Sequence, residues 1–155
     1  LGQALMCIHA IKAVGIGIGP DVAVRPGSRV HDEILPPAAG GDAPARPTNN
    51  AGGLEGGVTN GQDVRVSGFM KPIATLMKPL RSVDISTMSQ SPAAIERSDV
   101  CAVPAAAVVG EAMVAFVLAD AFLEKFGGDS IDEIRAHVEA TAEQVRRRFM
   151  TRTPA

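Results

Sequence analysis

The sequence predicts an α+β fold in which short strands come first and two long helices close the chain. Three observations carry that expectation. Ile11 to Ile18 is a β-branched, glycine-punctuated run, and Asp63-Val64-Arg65-Val66-Ser67 alternates in polarity; both read as strands. Val103 to Leu123 is an almost unbroken apolar stretch of helical length. Beyond Gly127-Gly128, the residues Ile131, Ile134, Val138, Ala142, Val145 and Phe149 recur at steps of three and four, one helix face. A chain of 155 residues suits one domain with its own core.

Composition narrows the function classes. Aromatic residues make up 3% of the chain, with no Trp or Tyr, so the core must be aliphatic and alanine-rich. A formal net charge of -2 argues against nucleic acid as a partner, because phosphate neutralisation needs a basic face. Cys7 and Cys101 show neither metal-ligand spacing nor disulfide density, so reduced thiols in a cytoplasmic protein are expected.

Taken in order, residues 1–10 read as the end of an amphipathic helix with Leu1, Ala4, Leu5 and Ile8 on one side. His9 stands at the junction with the first strand and reads, on the residues alone, as a packing histidine. Gly15-Ile16-Gly17-Ile18-Gly19 lacks a third glycine at the spacing of a dinucleotide fingerprint and is followed by Pro20-Asp21 where a helix should open. In residues 25–34, His31, Asp32 and Glu33 are adjacent and cannot all face one ion from a strand, so a solvated surface segment is expected and no metal site. Residues 36–47, rich in Pro, Ala and Gly, are expected to be a flexible loop.

The chain is organised around residues 48–75. Glycines at 52, 53, 56, 57, 61 and 68 lie beside Asn49 and Asn50, which predicts a tight loop with close backbone approaches. Asn60-Gly61 marks a turn, and the strand after it delivers Lys71 and stops at Pro72. Residues 76–84 read as short extended pieces split by Pro79, and 85–96 as a polar loop. Val103 to Leu123 also has the length of a membrane span, but Glu111 and Asp120 would each cost about 2–3 kcal/mol near mid-bilayer. A buried helix is therefore expected, opened by Pro104 and closed by Gly127-Gly128. Ser130 and Glu133 form a capping box for the last helix, and Arg146, Arg147 and Arg148 suit its C-terminal dipole. His137 reads as a surface residue.

Four residues carry candidate chemistry. Lys71 is either an anion contact or an exposed surface lysine. Arg97 and Asp99 precede a helix and read either as a local ion pair with a capping carboxylate, or as a phosphate-binding guanidinium beside a proton acceptor. An apolar helix wall would raise the pKa of Asp99, whereas Arg97 and the helix dipole would lower it. Glu111 reads as a buried structural partner.

Three motifs bring in a family. Thr48-Asn49-Asn50-Ala51-Gly52-Gly53-Leu54-Glu55-Gly56-Gly57, Lys71-Pro72-Ile73-Ala74-Thr75, and Arg97-Ser98-Asp99-Val100-Cys101-Ala102-Val103-Pro104-Ala105-Ala106 followed by Glu111 resemble chorismate synthase, in the family's order. The resemblance implies a layered β-α-β sandwich and a single domain of which residues 1–155 are the C-terminal part, the N-terminal half being absent. It implies a lyase that converts 5-enolpyruvylshikimate 3-phosphate to chorismate and phosphate by 1,4-elimination, the last step of the shikimate pathway. Reduced FMN is then the cofactor, held by His9, Ala10, Gly56, Lys71, Pro72, Ile73, Ala74, Thr75 and Arg97. Asp99 is the catalytic carboxylate. The family's two catalytic histidines belong to its N-terminal half, so this polypeptide alone is expected to be inactive. A homotetramer is implied when full length. Whether the flavin is reduced by NADPH is not legible. The alternative is a non-catalytic remnant or module that binds an anionic ligand or a partner chain through the glycine-rich loop.

Overall fold

The structure, a computed structural model, describes residues 1–37, 44–96 and 101–150. A short helix α1 (Gly2–Met6) leads into strand β1 (Ile11–Ile16), followed by two 3₁₀ turns, Gly19–Val24 and Gly27–Arg29. Strands β2 (Leu54–Glu55), β3 (Val58–Thr59), β4 (Val66–Met70), β5 (Arg81–Asp84) and β6 (Ser89–Pro92) come next, then helices α2 (Val103–Phe126) and α3 (Ile131–Met150). The α+β class holds. The strands form three antiparallel ribbons, β1–β4, β2–β3 and β5–β6.

The β1–β4 ribbon runs from Ile16 opposite Val66 to Ile11 opposite Met70, with an irregularity between Ile11 and Ala13. Helix α1 packs against β1 and α2, and its Ala4 and Leu5 are the buried hydrophobic side chains among the described residues. Gly110 of α2 makes that contact close: a Cβ there would stand 3.3 Å from Leu5 Cδ2. The β1 strand turns aside at Gly17, φ +63°, and the glycine series leads into a 3₁₀ turn rather than an α-helix, with Pro20 in its first turn.

Four expectations are corrected. Helix α1 stops at Met6 rather than at residue 10, because Ile8 and Ile11 form successive turn hydrogen bonds and Ala10 adopts φ +66°. Strand β4 starts at Val66 rather than at Asp63. The Arg65 amide is bonded to Gly52 and the Asp63 carbonyl to Asn49, so neither group is free for a ladder. Residues 85–96 hold a strand, β6, which closes a hairpin on β5 across a turn tied by the Asp84 carboxylate to the amides of Ser86 and Thr87. Finally, α2 is not buried: Gly110 is its one buried residue, and Phe116 is 74% exposed. It is also long and apolar enough to cross a membrane by length and composition.

The termini of both helices follow the sequence. Pro104 sits in the first turn of α2 and Gly127 caps its end with φ +23°. The Glu133 amide donates to Ser130 Oγ at 3.3 Å, while the Glu133 carboxylate reaches back to the amide of Asp129 at 2.7 Å, one residue before Ser130. Of residues 36–47, the stretch 38–43 lies outside the described residues. Its flank is tied down, with Ala45 bridged to Leu35 and Arg46 paired with Glu55 at 3.0 Å.

Candidate functional site

The pairing of β1 with β4 sets two of the expected cofactor segments side by side. Beyond the last ladder pair, the Lys71 amide donates to the Ala10 carbonyl at 2.8 Å, so His9-Ala10 and the run 71–75 share one end of the ribbon. Ala10 holds a left-handed backbone, a conformation that costs a non-glycine residue about 1–2 kcal/mol and is kept here by the carbonyl's bond to Lys71. Lys71 is exposed, and its ammonium makes no ion pair among the described residues. Pro72 and Ala74 are exposed beside it, with Ile73 and Thr75 half-buried. His9 is exposed at the rim of an apolar cleft of about 400 Å³, walled by Met70 and by Ala102, Ala105, Ala106 and Val109 at the start of α2.

Gly56 lies elsewhere. With Gly57 it forms the two-residue turn of the β2–β3 hairpin, at φ +60° and +81°, the twist that glycine tolerates best. A Cβ at either glycine would meet nothing within 4 Å, so the turn presents bare backbone to its surroundings. No described hydrogen bond joins Gly56 to Ala10 or Lys71. Arg97 and Asp99 lie outside the described residues. Glu111, expected in the core, is exposed at the edge of a second apolar cavity of about 510 Å³ shared with Leu5, Ile8, Val66 and Val114. Among the described residues its carboxylate makes no hydrogen bond or ion pair, and its neighbours along α2 are largely aliphatic.

Sequence reasoning missed two side chains. Asp32, assigned to a solvated segment, is half-buried and accepts three hydrogen bonds from the loop that opens at Thr48. Burial opposes its charge, but the Thr48 hydroxyl, the amides of Ala51 and Asn50, and the Arg46 guanidinium outweigh it and hold its pKa below the usual carboxylate range. An acidic residue before a glycine-rich loop was the available signal. His137 is exposed as expected, yet its Nδ1–H donates to the carbonyls of Phe126 at 2.6 Å and Gly127 at 2.9 Å, closing the end of α2. Those two bonds, Phe126 first, raise its pKa against a small desolvation effect, with Glu133 adding to the rise. Among the described residues no cluster of His, Cys, Asp or Glu has the makings of a metal site.

The loop itself is a knot of backbone. Gly17 and Gly52 cross so closely that a Cβ on either would overlap the other segment's main chain, and a Cβ on Gly53 would stand 2.5 Å from the Asp63 carbonyl. Asn49 braces it, its Oδ1 accepting from Gly53 N at 2.7 Å and its Nδ2 donating to Asp63 O at 2.9 Å. Gln62 Nε2 donates to Thr48 O at 2.9 Å, and Asn60 joins Glu55 at 2.8 Å. The resulting frame is cross-braced by hydrogen bonds and polar, and it carries a bare glycine turn. The opposite end of the β1–β4 ribbon offers the Lys71 ammonium, with no ion pair among the described residues, and an apolar cleft. That end of the ribbon can receive a flat anionic molecule, the cation meeting its charge and the cleft its apolar face.

Comparison with known proteins identifies the chain's relatives. The family model described as chorismate synthase matches residues 1–123. A chorismate synthase of Pelobacter propionicus is 56% identical over 151 residues, covering 94% of this chain and 38% of the relative. One from Trichlorobacter lovleyi is 61% identical over 140 residues, covering 87% of this chain and 36% of the relative. A crystal structure of chorismate synthase superimposes with a TM-score of 0.72 at 44% identity, over 93% of this chain and 35% of the other. The chain thus spans about two fifths of the length of the curated relatives it matches. It belongs to the chorismate synthase family.

Proposed function

We propose that this chain is part of a lyase that eliminates phosphate and a proton from 5-enolpyruvylshikimate 3-phosphate to give chorismate, in the presence of reduced FMN. The observation that supports the reading most directly is the bond between Lys71 N and Ala10 O, which sets two separate motif segments at one ribbon end. The residues present fit a flavin. A flat anionic cofactor needs a cation at its edge and an apolar wall, which Lys71 and the cleft rimmed by His9 supply at one ribbon end; the Gly56-Gly57 turn supplies bare backbone at the other. The cleft's volume of about 400 Å³ lies in the range of small-molecule sites, about 300–1,000 Å³.

In this reading His9, Ala10, Gly56, Lys71, Pro72, Ile73, Ala74, Thr75 and Arg97 hold the cofactor. Asp99 accepts the proton lost from the substrate carbon, and phosphate departs with the electron pair of its carbon–oxygen bond. Bound reduced FMN supplies electron density that favours departure of the allylic phosphate. Lys71 and Arg97 hold positive charge where phosphate and flavin are negative, and the aliphatic wall of α2 keeps water away, which strengthens both attractions. The polypeptide of the relatives' full length acts in the cytoplasm as a homotetramer, with no nucleic-acid or membrane partner.

The test is a titration of that full-length polypeptide. Reduced FMN and substrate should bind synergistically, and Lys71→Ala or Arg97→Ala should raise the FMN Kd about tenfold, the loss of about 1.4 kcal/mol from one charged contact. Residues 1–155 alone should show no turnover. Ligand binding indifferent to both substitutions would instead support a non-catalytic module that captures an anionic ligand or partner through the glycine-rich loop.

A further inference from the structure

We propose that Asp32 is a positioning residue that ties the glycine-rich loop to the end of β1, and so sets where Gly56 stands relative to Ala10 and Lys71. The inference rests on the flavin reading above. One oxygen of the carboxylate, Oδ1, accepts from the Thr48 hydroxyl at 2.5 Å and from the Asn50 amide at 2.8 Å; the other, Oδ2, accepts from the Ala51 amide at 2.9 Å. Two successive amides turned toward one carboxylate make a small anion nest, here filled from within the chain. The far side of the same peptide is held too, because the Asn50 carbonyl accepts from Ile18 N at 2.9 Å.

The peptides that open the loop are therefore fixed between Asp32 and the segment Gly17–Ile18 just beyond β1. From there the chain runs through Gly52 and Gly53 into the β2–β3 hairpin that carries Gly56. The opposite end of β1 carries Ala10, bonded to Lys71. Among the described residues no hydrogen bond joins the hairpin turn to that end of the ribbon. Their spacing depends on the crossing of Gly17 with Gly52, and Asp32 is the charged group that fastens the crossing. Asp32 itself touches neither cofactor nor substrate in this account.

The substitution Asp32→Asn keeps the shape but leaves one oxygen for three donors and turns an NH₂ group toward amides. In the full-length polypeptide it should raise the reduced-FMN Kd about tenfold, while kcat at saturating FMN stays near that of the unsubstituted enzyme. Asp32→Glu restores the charge and should recover part of the affinity. A purely structural carboxylate gives the opposite split: less active enzyme and lower kcat with the FMN Kd unchanged, which overturns the proposal. Should Asp32→Asn fail to fold, Thr48→Val removes one donor and leaves both amides. A smaller Kd shift in the same direction supports the proposal, and an unchanged Kd overturns it. Lys71→Ala measured alongside separates the two ideas. If it leaves FMN binding intact, the flavin reading fails and this inference with it. If it weakens binding while the Asp32 variants do not, positioning by Asp32 alone is refuted.

Discussion

Replacing Gly17 by alanine tests whether the crossing of β1 with the glycine-rich loop holds this structure together. Two terms add. Gly17 sits at φ +63°, where a Cβ meets its own carbonyl and costs about 1–2 kcal/mol. The new methyl would also overlap the Asn50 carbonyl oxygen and stand 2.7 Å from Ala51 C and Gly52 N. All three contacts are backbone, so no side chain can rotate away, and forced overpacking adds about 1–3 kcal/mol. The total is about 2–5 kcal/mol. Gly57→Ala is the matched control: its φ of +81° carries the same conformational term, but no atom lies within 4 Å of the added methyl. It should lose only about 1–2 kcal/mol. At about 2–4 °C per kcal/mol for a domain of this size, Tm should fall by about 4–20 °C for Gly17→Ala and about 2–8 °C for Gly57→Ala. Both are read by thermal unfolding followed by circular dichroism on the same polypeptide. Equal losses for the two variants would mean that Gly17 is glycine for its backbone angle alone, and the crossing would carry no special weight.

Two further outcomes are expected at the helices. Ser130→Ala removes the side chain that receives the Glu133 amide and should destabilise α3 by about 1 kcal/mol, read as a lower urea midpoint by far-ultraviolet circular dichroism; no change would show that the Glu133–Asp129 bond suffices as a cap. His137 has a folded-state pKa raised by its bonds to Phe126 and Gly127, so it binds its proton more tightly folded than unfolded. Its contribution is present in full below the ordinary value of 6.5 and is lost as pH rises through the raised one. The denaturant midpoint should therefore decline across that window in the parent chain and stay flatter in His137→Ala; parallel profiles would refute the link.

Much of this structure was legible because it is local. Helix α3, the Pro104 opening and the glycine close of α2, and the Ser130 cap all depend on residues within four or five positions of one another. The glycine loop was legible for a similar reason, since glycine pairs beside asparagine announce positive φ wherever they fold. Strand β6 was not, because Ser89-Gln90-Ser91-Pro92 has no apolar alternation and is an exposed edge held by pairing with β5. The pairing of Ala10 with Lys71 was hidden too. Alternation tells which face a strand buries, but a partner 61 positions away is fixed by register. Asp32 escaped notice for the same physical reason: its donors stand 16 to 19 residues along the chain, and two of them are backbone amides, which every residue type possesses.

Helix α2 shows the limit from the other side. Its composition predicts burial, and a hydrophobic driving force of about 25 cal/mol per Å² makes that prediction sound for any helix with neighbours enough to cover it. In the described structure its principal contacts are with α1, which is five residues long, and with α3, so most of its apolar surface stays open. Contiguous apolar area of this kind marks a contact surface rather than a solvated one. Phe116, 74% exposed, and Val108, 67% exposed, are therefore well chosen for a helix packed on several sides and poorly chosen for one facing water. What a helix needs is written in its own residues. Whether the need is met depends on how much chain surrounds it, and that quantity no window of residues contains.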